Sequence, residues 1–524
     1  MPCGTHAFSL DVVAHKINEL KKNQMKNIYI TIFTFFFSSS LLAQSLTYSS
    51  AIGFGGSGSD DGKDIAVDQS SNIYIAGGFR DTVDFDPGSS TEQLISNGFE
   101  DMFIQKLDPQ SNLIWVKQMG GTKFDNMEAI AVNSNMEVYS VGSYRDTVDF
   151  DPGVGVLNLY GSSMESGFIQ KLDSNGDLLW AKGIFSNSQS SIKDIEIDNA
   201  GNSYTTGQFV GTQDFDLGSG TAILTSSGST DFFLQKRDNN GNLLWLKQIG
   251  GTGSDWGETI SIDDNGNIVI GGHFSDVVDF DPGNSGTTLT SAGDYEAFVM
   301  KLDPNGNFLW AKQFAGANRE FVNAVDFDDQ GNLYVVGNFD GTVDFDPSNN
   351  INNLVSGPHR GDAFVVKLDG NGNLIWAQQM HQDGGSSGAG GNDFEDVKVS
   401  ENGRVYCFGQ FFDTVSVNTG TGLEFFYSNG DFDLMMLELT TNGDYVSTTQ
   451  YGSSKRDFGY ALELDYQMNI YATGQFWETI DFDGTNSLGE LTSNGNSDAF
   501  ILKLDLITSS ISESDAYHPF VVFP

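Results

Sequence analysis

The chain has 524 residues, with 70 Asp+Glu against 26 Lys+Arg, a net charge of −44 and 12% aromatic residues. So acidic a field repels phosphate backbones and anionic lipid surfaces, which excludes nucleic acid as a partner. The aromatic content excludes disorder, and 62 Gly with only 10 Pro among short apolar runs point to an all-β protein with many tight turns.

In chain order, residues 1–24 read as a mis-assigned leader, with translation expected to start at Met25. Residues 25–44 read as a signal peptide: Lys26, an apolar run, and a small-residue exit near Ala43. The run is too short and too Ser-rich for a membrane span, so no membrane insertion is expected. Cys3 lies in the leader, which leaves Cys407 without an intrachain partner. The expected secreted protein must therefore be held by its core alone, and His and Cys are too sparse for a zinc site.

From about Gly55 to Asp505 the chain repeats itself. Trp115, Trp180, Trp245 and Trp310 are 65 residues apart, and Asp84, Asp149, Asp214, Asp279 and Asp344 keep the same step. Each unit holds four apolar runs of strand length, as in "KDIAVD", "NIYIAGGF", "DMFIQKLD" and "LIWVKQMGG". The turns "DSNGD", "DNNGN", "DPNGN" and "DGNGN" predict type I′ hairpins. They are not EF-hand loops, because the twelfth position is Ile184 or Ile249 rather than Glu. The last copy ends near Leu506 without a fourth strand. "SLTYSSAIG", with Tyr48 where Trp115 would sit, supplies it and covers the open sheet edge. The expectation is an all-β fold over residues 45–506: a seven-bladed β-propeller of four-stranded antiparallel blades, the last completed by the N-terminal strand.

"GGTGSDWGETISIDDNGNIVIGGHF" followed by "EAFVMKLDPNGNFLWAKQF" resembles the repeats of secreted bacterial propellers of the SBBP type. That resemblance implies the fold and carries no agreed activity. At the end of the chain "SDAYHPFVVFP" resembles the linker and start of a type IX secretion C-terminal sorting domain, so residues 507–524 are read as that linker and start. Such domains continue beyond a start of this kind, so the resemblance implies a longer protein, exported and then released or fixed to the cell surface.

The long loops between second and third strands, and the links between units, make the candidate functional face. Each such loop carries a D-F-D motif: Asp84 and Asp86, Asp149 and Asp151, Asp214 and Asp216, Asp279 and Asp281, Asp344 and Asp346, Asp481 and Asp483. In an extended stretch the apolar neighbours pack while the two carboxylates stand side by side, a geometry suited to Ca²⁺. The preferred alternative is structural, as turn caps or partners of a recurring lysine (Lys106, Lys171, Lys236, Lys301, Lys367, Lys503). The sixth unit loses both carboxylates, to Ser416 and Asn418, and the lysine, to Glu438.

Trp256 shares its column with Phe321 and Phe458 and reads as packing between units, whereas Trp477 is the better exposed candidate for stacking on a ligand. The fourth-strand tryptophans read as core. A glycine found in every unit, from Gly77 to Gly474, reads as backbone crowding. The position after it varies, with Gln208, His273, Asn338, Gln410 and Gln475 as candidate lining of a mixed hydrogen-bonding pocket. Enzyme motifs are absent apart from chance matches in Gly-rich segments. The resulting reading is a secreted or cell-surface bacterial protein, monomeric, with no certain cofactor. It would act as a non-catalytic binding or scaffolding module for an extracellular protein or glycan. The alternative is a polysaccharide-active enzyme using carboxylates of the long-loop rim.

Overall fold

The computed structural model describes residues 43–509, apart from 185–187, 219, 283–285, 358–360, 385–390 and 486–488. The expected leader and the signal-peptide residues up to 42 lie outside the described residues, as does the expected sorting-domain segment from 510 onward. Tyr48–Asp505 is one compact unit. All regular elements among the described residues are strands, and the fold is a β-propeller.

The first repeat shows how the sequence sets the sheet. Its strands are Asp61–Val67, Ile73–Phe79, Asp101–Leu107 and Leu113–Met119, paired in that order as an antiparallel meander. The middle two are buried at every position, so their sequences are nearly continuous apolar runs rather than alternating ones. The fourth strand is mostly half-buried and exposes Ile114. Five meanders stand as separate sheets, and one of these continues through Thr342–Asp344 to Asn353–Val355. Apart from those two short strands, the strands from Glu320–Phe327 to Tyr445–Tyr451 are joined in one eight-stranded sheet. The N-terminal strand Ala43–Phe54 lies beside Asp498–Ser509, at the end of the sheet that also holds Ile470–Phe476 and Phe458–Leu464.

The D-F-D loop is a structural device. Val83 and Phe85 are fully buried. The Phe85 ring lies 4.8 Å from Phe103 and 5.4 Å from Phe79, and the same trio recurs as Phe209, Phe215 and Phe233. The carboxylates cap the loop. Asp84 Oδ1 accepts the N–H of Asp86 (3.2 Å) and of Glu92 (2.9 Å), and Asp86 Oδ1 accepts that of Gly88 (2.7 Å). Asp149 and Asp151 repeat this with Asp151, Leu157 and Gly153, and Asp344 and Asp346 with Asp346, Asn352 and Ser348.

The expected partnership with the lysine column is corrected. Lys236, Lys301 and Lys367 pair instead with Asp198 (3.4 Å), Asp263 (3.0 Å) and Asp328 (3.0 Å), which cap the turn between first and second strands. Lys171 reaches Glu137 at 2.8 Å. In the sixth repeat that capping column holds Ser400, and Glu438 pairs with Arg404 at 3.5 Å. The joint loss seen in the sequence belongs to a neighbouring column.

Two further expectations change. At the third-to-fourth turns only the glycine is left-handed: Gly176, Gly241, Gly306 and Gly372 have φ between 76° and 78° while the preceding asparagines do not. Each hairpin also carries a register shift, as between Lys171 and Leu172. These are three-residue loops ending in a glycine bulge rather than type I′ turns. The fourth-strand tryptophans are half-buried bridges rather than core. Trp115 Nε1 donates to the Ser174 carbonyl of the next repeat, at 3.2 Å, and Trp376 Nε1 to that of Thr441, at 3.1 Å.

Candidate functional site

A cavity of about 610 Å³ is lined by the first strand of each repeat. These strands touch in succession, and Phe458–Leu464 meets Asp61–Val67. Every first strand carries the same irregularity. Its register with the second strand shifts between Gly62 and Asp64, Met127 and Ala129, Ile192 and Asp194, and at each corresponding place. The extra residues are Lys63, Glu128, Lys193, Glu258, Asn323, Glu395 and Tyr460, and all line the cavity. A bulge re-aims one side chain per strand, and here it turns that side chain toward the axis of the array. Sequence reasoning missed this column. Its signal was a break in the alternation of "DGKDIAV", where two adjacent polar residues interrupt a period of two.

Above the bulges, the start of each first strand pairs with the end of the second: Asp61 with Gly78, Ser191 with Gln208, Trp256 with His273, Phe321 with Asn338, Asp393 with Gln410, Phe458 with Gln475. A Cβ on Gly77, Gly272 or Gly474 would run into the carbonyl of Asp61, Trp256 or Phe458, the crowding expected from the sequence. The expected candidates Gln208, His273, Asn338, Gln410 and Gln475 thus stand at one level of the array, and those of them that reach residues lining the cavity are His273, Gln410 and Gln475. Gln410 Nε2 donates to Glu395 (2.7 Å), Asn338 Nδ2 to Asp393 (2.5 Å), and Gln475 Nε2 to the Tyr460 hydroxyl (2.5 Å). His273 Nδ1 lies 3.8 Å from Glu258 Oε1, and Gln208 is buried with its Oε1 unpartnered among the described residues.

Aromatic rings flank this level on two sides. Trp256 stacks on His273 at 5.6 Å, with Phe321 and Tyr295 edge-on to the imidazole. Trp477 is half-buried and edge-on to Phe458 at 5.9 Å, and Phe458 continues to Phe432 (5.3 Å) and Phe412 (5.5 Å). Trp477 therefore belongs to a strip of rings rather than standing alone. The D-F-D aspartates are not brought together: each pair sits in its own loop. Among the described residues, no group of three or more His, Cys, Asp or Glu is placed to hold a metal ion.

The electrostatics of the cavity follow from enclosure. Burial pushes Asp64 and Glu196 up to about 8, and Glu258 and Asp396 to about 7. Burial also raises Asp393 well above the carboxylate range, with the neighbouring Glu395 charge adding to it. Burial pulls Lys63 and Lys398 down, but the surrounding carboxylates outweigh it and hold both ammonium groups above their usual range. Lys63 pairs with Asp61 (3.4 Å) and lies over the Tyr460 ring (4.0 Å), Lys193 pairs with Glu128 (3.0 Å), and Lys398 with Glu463 (3.3 Å). Cys407 is buried with its thiol raised above the usual range, so it is no nucleophile.

Residues 49–77 match the SBBP β-propeller repeat family. The chain is 23% identical to an uncharacterized WD repeat-containing protein of Acanthamoeba polyphaga mimivirus, the match covering 67% of this chain and 35% of that protein. It is 27% identical to the regulatory protein FlaEY of Caulobacter vibrioides over 28% of this chain and 15% of that one. The chain therefore spans well under two thirds of either relative. Among solved structures, it aligns with a protein of unknown function from Bacteroides caccae at TM-score 0.31 and 12% identity, over 66% of this chain and 89% of the other. With a quinohemoprotein alcohol dehydrogenase of Pseudomonas putida the values are 0.38 and 12%, over 92% and 79%. These likenesses carry no argument about chemistry beyond the repeat itself.

Proposed function

We propose that this chain is a secreted or cell-surface bacterial propeller of seven blades. It binds an extracellular glycan or protein at the level of the second-strand ends, without catalysing a reaction. The seven-blade count rests on one bulge and one crowded glycine per repeat, with the eight-stranded sheet taken as two blades joined through the pairing of His381 with Ser416. Export rests on the signal-like residues 25–44 and the sorting-domain resemblance after Leu506.

The observation that carries the binding reading is where the repeats cease to repeat. Caps, ring trios and tryptophan bridges recur almost unchanged, while the position facing the cavity mouth varies among Gly, Ser, Gln, His and Asn. Amide groups between aromatic strips offer hydrogen bonds and flat apolar faces together, which suits a sugar or an extended peptide. The test is retention on immobilised extracellular polysaccharides and on surface-protein extracts, scored together with release of new reducing ends. Retention without release, lost at least about tenfold in Trp477→Ala and in Asn338→Ala, is the expected result. Retention unchanged in both variants would remove the mouth as the site.

An enzymatic reading at the first strands, away from the long-loop rim, has one specific observation behind it. Asp393 and Glu395 sit two apart on one strand with both carboxyls held protonated beyond their ordinary range, a device used by general acids. Reducing ends that appear with the parent protein and vanish in Glu395→Gln would establish that reading over the first.

A further inference from the structure

Eleven carboxylates and three lysines line the cavity, and each lysine is already held by one acid. The acids left over lie on two levels. Glu258 and Glu395 stand at the bulge, and Glu196 three residues past it on its own strand, about 10 Å along at the strand rise of about 3.3 Å per residue. Asp64, Asp194, Asp326 and Asp396 are spent within the wall, each accepting the backbone N–H of a first strand one repeat on: Ile130 (2.7 Å), Ile260 (2.8 Å), Val399 (2.7 Å) and Leu462 (2.9 Å). Glu463 is held by Lys398.

Two polar side chains, each more than nine-tenths buried, turn toward this lining with an atom unmet among the described residues. His273, 8% exposed, directs Nδ1 at Glu258 without a hydrogen bond. Gln410, 6% exposed, holds Glu395 through Nε2 and leaves Oε1 without a partner. The wall is thus short of donors and of positive charge. A single ion does not meet that need, because no group of three or more His, Cys, Asp or Glu among the described residues closes on one point.

We propose that the cavity takes an extended organic polycation of the polyamine class, its ammonium groups spread between the Glu258–Glu395 level and Glu196. A chain of spaced ammonium groups supplies donors to both levels at once, which a compact cation cannot. Burial lowers His273 to about 3, so the imidazole stays neutral and can accept an N–H. The site adjoins the proposed glycan or protein contact at the second-strand ends and shares His273 and Gln410 with it.

The test is calorimetric titration of the full chain with the triamine spermidine, with MgCl2 at matched ionic strength and with a tetralysine peptide. Two variants accompany it. Glu196→Gln combined with Glu258→Gln removes two of the leftover acids, and Ala131→Lys places a cation where the sixth repeat already carries Lys398. The expected result is one saturable spermidine site, weaker by at least about tenfold in each variant. Equal response to magnesium, or unchanged affinity in both variants, would overturn the proposal. Tighter uptake of tetralysine than of spermidine would overturn the polyamine assignment in favour of a basic polypeptide chain.

Discussion

Arg237 is a single side chain that departs from the repeat and reorganises its surroundings. It is 1% exposed where the other repeats place Leu107, Leu172, Leu302, Leu368, Leu439 and Leu504, and no carboxylate pairs with it among the described residues. Burial lowers its guanidinium to about 10. Its N–H groups take the carbonyls of Phe215 and Gly241 and the Gln235 side chain. In the first two repeats the Phe carbonyl is served by Gln105 (2.6 Å) and Gln170 (2.7 Å) instead. With Arg237→Leu, Gln235 can leave Thr205 and take the Phe215 carbonyl as its equivalents do. The variant should therefore be more stable, by about 1–2 kcal/mol, read as a higher urea midpoint with unchanged m-value. The opposite sign is expected for Asp149→Ala, which strips two backbone N–H groups of their acceptor. A loss of about 1–3 kcal/mol should appear in the same assay, equal in calcium and in chelator. A chelator-sensitive parent melt would instead return the D-F-D loops to metal binding. The sequence alone placed Val83 and Phe85 in the core and the two aspartates outward, because a period of two needs no tertiary knowledge. It misassigned the lysines, because two columns changed together in the sixth repeat and only coordinates tell which pair touches.

At the scale of elements, the strands were legible from β-branched and aromatic runs, and the turns from Asp and Gly. The turn type was not, since Asn-Gly fits both a two-residue and a three-residue loop until the register is known. Gly176 has two reasons to be glycine: its φ is 78°, and a Cβ there would press on the Trp115 indole and the Lys117 side chain. Gly176→Ala should cost about 1–3 kcal/mol, more than an exposed left-handed glycine such as Gly420, which has nothing within 4 Å. Comparing the two alanine variants by thermal melt separates strain from contact. The bulge column remained hidden because a bulge is a relation between two strands. Its residues look like ordinary alternation errors in a single sequence.

The whole molecule holds many of its acids as internal acceptors. Asp60 takes the N–H of Gly56 and Arg80, and Asp457 that of Ser453 and Trp477, in each case tying a link to the end of a second strand. Burial raises Asp60, Asp125, Asp255 and Asp457 each to about 7, and Glu320 to about 9. Unfolded, these groups titrate near 4. The native state therefore binds more protons than the unfolded chain above about pH 4, and stability falls as pH rises toward 7 to 9. Below pH 4 the trend reverses, because turn acids such as Asp108, Asp238 and Asp369 are held below their ordinary value by N–H donors that outweigh burial. The melting temperature should peak near pH 4–5 and decline through pH 8. Glu320→Gln should flatten the alkaline part of that decline, since both Glu320 oxygens are buried without a donor among the described residues. None of this was visible in a net charge of −44, which reports how many acids there are and not how many face water.

The pairing of the first strand with the last has a consequence in time. Ser59 bridges Ser497, and the Thr473 hydroxyl reaches the Gly62 carbonyl across 411 residues of chain. The edge of the N-terminal strand waits for Asp498–Ser509 before it is covered, so the sheet they share forms only after the repeats between them have been made. Until that moment the other sheets, built from strands close in sequence, stand beside one unfinished sheet that is open to chaperones and, under the proposed export, still able to be threaded. Closing that sheet is then a late step that follows the pairing of strands within the other repeats.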